Sequence, residues 1–298
     1  MKKTIPVLLL FSILLPKIVF AQDDLLKMAM ENSEAPKTKV AATFKTTKLI
    51  NAHTNETVHK RTLDVRIGHR FGNMGAESNG GIHTFYGLDA STDIRIAFEY
   101  GITDRLMVGI ARCKQLENIE GLVKFRALEQ TTDNKIPLAI TLFANAAITA
   151  QRDPEGIYPK TTDRMSYTFQ AIIARKFSDR ISFELLPTLV HRNYIFITDD
   201  KNDIMALGVG GRVRITKSFC VIADYFYNFG EVREIDNENG FFNPLGIGIE
   251  LETGGHVFTI MFTNAAGIIE NDYIPNTTDT WTKGGFKFSF NISRNFKL

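Results

Sequence analysis

The sequence predicts an all-β protein, a closed antiparallel transmembrane β-barrel of about 12 strands with a short N-terminal periplasmic or plug-like segment. Three observations carry that prediction. After residue 60, apolar and polar residues alternate over runs of about 8–13 residues, with no sustained helical period. The connections between runs alternate short and long, as periplasmic turns and outer loops do. The chain also opens on an export signal.

In that signal Lys2 and Lys3 form a basic start, Ile5 to Leu15 an apolar core and Pro16 its break, and Val19-Phe20-Ala21 supplies the cleavage site. The core is too short to span a bilayer, which takes about 20 residues. Residues 1–21 are therefore read as a signal peptide, and with no Cys after Ala21 a lipoprotein is excluded. Setting aside Lys2, Lys3 and Lys17 leaves 32 of the 35 basic residues against 33 acidic ones. A chain so near neutrality has no bulk attraction for nucleic acid, which is excluded as a partner.

Residues 22–60 are assigned to a periplasmic or lumen-entering segment. Asp23 and Asp24 cap a short helix carrying Leu25, Leu26, Met28 and Met30, and Ser33 to Lys39 reads as a linker. Val40 to Ile50 is a thirteenth strand candidate, but its inclusion in the wall would put the amino terminus outside the cell.

Residues 61–298 are assigned to the barrel. The apolar sets are Leu63 to Phe71, Ile94 to Tyr100, Leu106 to Ile110, Val123 to Ala127, Ile136 to Ala146 and Tyr167 to Ile173. They continue with Ile181 to Leu189, Met205 to Ile215, Phe219 to Tyr227, Leu245 to Leu251, Phe258 to Phe262 and Phe286 to Ile292. Short connections fall near 102–105, 129–135, 178–180, 216–218 and 252–255. Long polar ones, read as outer loops, fall near 72–91, 150–165, 192–203, 229–243 and 264–283. The competing fold is a secreted β-sandwich. Strand length, charges in mid-strand and aromatics near strand ends (Phe71, Tyr100, Tyr167, Tyr225, Tyr227 and Phe286) favour the barrel. The last strand, with Phe286, Phe288, Phe290 and Phe296 before Leu298, has the alternating aromatics that barrel-insertion machinery reads.

The chain resembles an uncharacterised family of Bacteroidota outer-membrane β-barrel proteins, known as a domain of unknown function. The resemblance rests on Phe44-Lys45-Thr46-Thr47-Lys48-Leu49-Ile50-Asn51, Ile67-Gly68-His69-Arg70-Phe71-Gly72, Tyr86-Gly87-Leu88-Asp89 and Tyr100-Gly101-Ile102-Thr103-Asp104-Arg105-Leu106. It implies an outer-membrane barrel and no known activity.

If the apolar set faces lipid, the lumen receives Asp64, Arg66, Arg70, Arg95, Glu99, Lys124, Arg126, Glu184, Arg212, Arg214, Asp224, Glu250 and Lys287. Eight bases against five acids would give a water-filled passage a mild preference for anions. The bland reading is a cross-strand ladder of ion pairs that fills the barrel without conduction. Gly208, Gly210 and Gly211 within one strand mark a bend or a place where something packs close to the wall.

No catalytic, cofactor or metal site is expected. Cys113 and Cys220 lie apart in apolar runs, and the six His residues are dispersed. His69 falls on the lipid side near a rim, with no Ser partner for lipid hydrolysis. The expected function is therefore a small-solute channel, or a barrel serving a periplasmic partner through residues 22–60. A structural or adhesive barrel and a lipid-modifying enzyme are the alternatives. Outer-membrane lipid and the insertion machinery are the expected partners.

Overall fold

The computed structural model describes residues 39–75, 81–196, 200–230, 240–253 and 255–298. The residues expected to form an export signal (1–21), a helix start (Asp23 and Asp24) and a linker as far as residue 38 lie outside them. Twelve strands follow one another around a closed ring: β1 Thr62–Asn73, β2 Ser91–Gly101, β3 Leu106–Cys113, β4 Asn118–Leu128, β5 Ala139–Thr149, β6 Met165–Lys176, β7 Ile181–Arg192, β8 Asp203–Arg214, β9 Phe219–Phe229, β10 Leu245–Thr253, β11 His256–Thr263 and β12 Lys287–Lys297. Each pairs antiparallel with its neighbours, and β1 closes on β12 with Thr62 opposite Lys297 and Ile67 opposite Ile292. Closure leaves no open sheet edge, so a wall in lipid satisfies its backbone donors and acceptors internally. The protein is thus a closed antiparallel barrel, and the sandwich is excluded.

The period-two pattern sets which side each residue takes. In β1, Asp64, Arg66 and Arg70 are buried inside, whereas Ile67 between them is 42% exposed on the outer wall. Phe98, Ile110, Leu142, Phe169 and Ile247 project outward in the same way. At the rim of β1, His69 stacks on Phe290 with ring centroids 5.5 Å apart, and Phe71 lies beside both. Cys113 and Cys220 are free and buried.

The fifth strand begins at Ala139, not at Ile136 as the alternation suggested. Ile136 closes the preceding turn, where its N–H donates to Thr131 Oγ1 and its carbonyl accepts from Thr131 N. Pro137 then has no N–H to give to a ladder.

A larger departure concerns residues 264–283, expected as an outer polar loop. This connection turns inward and contains a seven-residue helix, α1, Glu270–Asn276, in which Glu270 to Pro275 are all buried. Val40 to Ile50 does not join the wall either; with the residues up to 60 it enters the barrel.

Candidate functional site

Residues 39–60 form an irregular hairpin inserted into the lumen. Lys48 pairs with His53, Thr54 N donates to Thr47 O at 3.0 Å, and Leu49 N donates to Ala52 O at 2.8 Å, so Leu49-Ile50-Asn51-Ala52 is the tip. No full sheet ladder covers its arms, so hydroxyls serve the backbone instead: Thr46 Oγ1 donates to Lys48 O and Thr54 Oγ1 to Thr46 O, both at 2.6 Å.

Both ends of the hairpin leave at the short-turn end of the barrel. On one arm Val40 N donates to Gln130 O at 2.9 Å and Lys39 pairs with Glu129 at 2.6 Å, beside the β4–β5 turn. On the other, Lys60 N donates to Asp104 Oδ1 at 3.0 Å and Thr57 Oγ1 to Asp104 O at 2.8 Å, in the β2–β3 turn. The Lys60 N–H holds the Asp104 carboxyl below its ordinary range, with help from His59.

The tip is received by one wall carboxylate. Asp224 Oδ2 accepts the N–H groups of Ile50, Asn51 and Ala52 at 3.1, 2.7 and 2.9 Å, and its Oδ1 accepts Asn51 Nδ2 at 2.7 Å. Successive backbone N–H groups converging on one anion make a nest. Leu49 and Ile50 are 1% exposed beside it, and burying an aliphatic side chain contributes roughly 1.5–3 kcal/mol. Room for them comes from glycine. A Cβ on Gly246 would lie 2.5 Å from Ile50 Cγ2, and one on Gly210 2.9 Å from Leu49 Cδ1.

Two changes test this seat. Gly246→Ala should push Ile50 out of place at a cost of about 1–3 kcal/mol, read as a lower temperature for loss of the compact gel band. Asp224→Asn, which trades a charged acceptor for a neutral one, should weaken tip binding by about 1.5–3 kcal/mol. It would show as faster hydrogen exchange at Ile50, Asn51 and Ala52 with wall amides unchanged.

The second insert comes from the long-loop end and meets the hairpin. Arg70 donates to the carbonyls of Ala265 and Gly267, Asp93 Oδ2 accepts Ile268 N at 3.0 Å, and Asn228 Nδ2 donates to Ile274 O at 2.7 Å. Lys48 Nζ then donates to Ile268 O at 2.9 Å and lies 3.5 Å from Glu270 Oε1. Tyr273 OH donates to that same oxygen at 3.1 Å, and His53 Nε2 stands 4.0 Å from Glu270 Oε2.

The charges singled out from the alternation take several parts in this arrangement. Asp64 pairs with Arg66 at 3.0 Å, and Arg66 also donates to Thr47 Oγ1. Arg70 reaches Asn51 Oδ1 at 2.7 Å. Glu99 accepts Thr47 Oγ1 at 2.7 Å. Lys124 Nζ donates to the carbonyls of Thr47 and Glu56, and Arg126 pairs with Glu56 at 2.9 Å.

Arg95 spans β3 to Glu120 at 2.7 Å, and Arg212 spans β9 to Glu250 at 3.0 Å. Lys287 pairs with Asp279 at 2.6 Å. Glu184 is fully buried beside Gly210. Arg214 stands apart, half-buried near the short-turn rim, where its N–H joins Arg180 O.

Two buried wall acids were missed, Asp93 and Glu120, besides Glu270 and Asp272 of the inserted helix. The two wall acids share the register of Arg95 and Lys124, so extending the inward set by one step finds Asp93 and by two steps Glu120. With both included and Arg214 left at the rim, the wall charges named here balance at seven bases and seven acids. This removes the basis for the anion preference. The hairpin and the helix occupy the lumen, where the sequence left open both a water-filled passage and a filled barrel.

Residues 44–296 match the family model "Membrane bound beta barrel domain (DUF5777)". The chain belongs to that family. This DUF5777 barrel is similar to the NanC porin at 9% identity, over 79% of this chain and 100% of that one, with a TM-score of 0.46. It is similar to the KdgM porin at 8% identity, over 79% and 99% of the two chains, with a TM-score of 0.46. The third comparison is an outer membrane channel from Pseudomonas putida F1, at 12% identity over 81% and 98%, with a TM-score of 0.42. No curated protein matches the DUF5777 chain.

Proposed function

We propose that this protein is an outer-membrane passage for small polar solutes that rests closed, with the hairpin of residues 39–60 as its gate. One observation carries the reading: the hairpin enters and leaves at the same end, its tip held by the single carboxylate of Asp224. A segment inserted this way withdraws without threading any chain through the barrel. What it leaves behind is a wall of balanced charge, suited to uncharged or zwitterionic solutes more than to ions of one sign.

In this reading the short-turn end faces the periplasm, and an export signal at 1–21 delivers the chain there. A periplasmic partner acting on residues 22–60 would be the agent that pulls the hairpin. Withdrawal also breaks the link from Lys48 to Ile268 and Glu270, which loosens the helix at the other end. Nothing in the reading requires catalysis. Conductance of purified protein in planar bilayers tests it. The wild type should be silent and a hairpin-deleted barrel should pass current.

A further inference from the structure

The long-loop end holds a feature that the hairpin does not use. Tyr158, from the β5–β6 connection, meets Tyr194 and Phe196, which follow β7. Their ring centroids lie 5.2 to 6.0 Å apart, and all three pairs are edge-on. The Arg164 guanidinium sits 4.8 Å from the Tyr158 centroid and is pinned by the carbonyls of Thr149 and Gln151. The cluster is therefore set in place before any ligand arrives. An edge-on neighbour covers less of a ring than a stacked one, and Phe196 remains 66% exposed at a polar rim.

The rings flank a cavity of about 70 Å³ lined by Asn271, Asp272 and Asn276 of α1. Asn118 Nδ2 donates to both carboxylate oxygens of Asp272 at 3.0 Å, which fixes that group's plane. An open aromatic face beside amides and an oriented carboxylate suits one ligand chemistry. A sugar ring has an apolar C–H face for stacking and a girdle of hydroxyls that both donate and accept. The lining sets Asp163 and Asp272 against Arg164 and Arg192. Those guanidiniums already pair with Asp153 at 3.4 Å and Asp200 at 2.7 Å, so a phosphate would have to compete for them. An aliphatic ligand is opposed by the polar residues of α1.

We propose that this pocket binds the terminal ring of a saccharide, with Phe196 and Tyr194 stacking on the ring and Asp272 and Asn276 taking its hydroxyls. The cavity admits one edge of a single ring and leaves the rest against Phe196. Other residues of α1, Glu270 and Tyr273, meet Lys48 of the hairpin, so the sugar would sit one helix away from it.

Saturation-transfer NMR on the full-length protein in a sugar-free detergent tests the assignment, with glucose, N-acetylglucosamine and galacturonate as probes. Ring-proton signals are expected from at least one probe. They should fall roughly tenfold in Phe196→Ala, a change at an exposed side chain that leaves the barrel intact on a gel. Asp272→Asn should weaken the same probe without abolishing stacking. Silence from all three probes, or equal signals in Phe196→Ala, would overturn the proposal. Transfer confined to galacturonate and dependent on Arg164 alone would also overturn it, since that pattern is charge pairing without stacking. None of these readouts requires the barrel to conduct.

Discussion

Deletion of residues 43–57 should convert a silent barrel into one that passes discrete current steps. Within the described residues the hairpin supplies partners to Arg66, Arg70, Lys124, Arg126, Glu99 and Asp224, all of them wall charges. These groups tolerate water in place of the hairpin, because ions and hydroxyls exchange protein partners for solvent at modest net cost. The apolar tip has no such alternative in the lumen, so it leaves as a unit. Retention of the heat-modifiable gel shift separates an opened barrel from an unfolded one. A complementary variant joins Leu49→Cys to Gly210→Cys, where a Cβ on residue 210 would fall beside Leu49. Oxidation should hold that barrel shut and reduction should release it. A folded deletion variant that stays silent would sink the gate and leave a permanently filled barrel.

An arginine in place of Phe169 should cost about 2–4 kcal/mol of folding stability in lipid. Phe169 lies mid-strand in β6 between Ala144 and Leu189, 53% exposed on the outer face. On a water-soluble sheet such a change at an exposed site stays within about 0.5 kcal/mol. In hydrocarbon the guanidinium must shed its hydration or drag water and headgroups inward. Urea unfolding from lipid vesicles measures the difference. A loss below about 0.5 kcal/mol would place the outer wall in water.

Much of the wall was legible in the sequence. Alternation is a local property of each strand, so a reader of Asp64-Val65-Arg66-Ile67 already knows which residues share a side. The connection lengths and even parity then give twelve strands, with both barrel ends on one side. Positions set by a neighbouring turn escaped this logic, as Ile136 and Pro137 show, because a proline and a hydroxyl override the period there. The glycines of β8 were readable as a site of close approach, but not as the seat of Leu49.

By itself the sequence determined the barrel, the side of the wall each strand residue takes and the polar character of its interior. Only the tertiary structure decided that this interior is filled, and by what. The deciding contacts join Asn51 to Asp224 and Lys48 to Ile268, separated by 173 and 220 positions. The hairpin and the helix that fill the lumen are short and irregular, with polar groups satisfied by the wall instead of by a repeating ladder. No period marks such segments, so residues 22–60 could be read as periplasmic or lumen-entering and 264–283 as an outer loop, and the closed ring alone decides between such places.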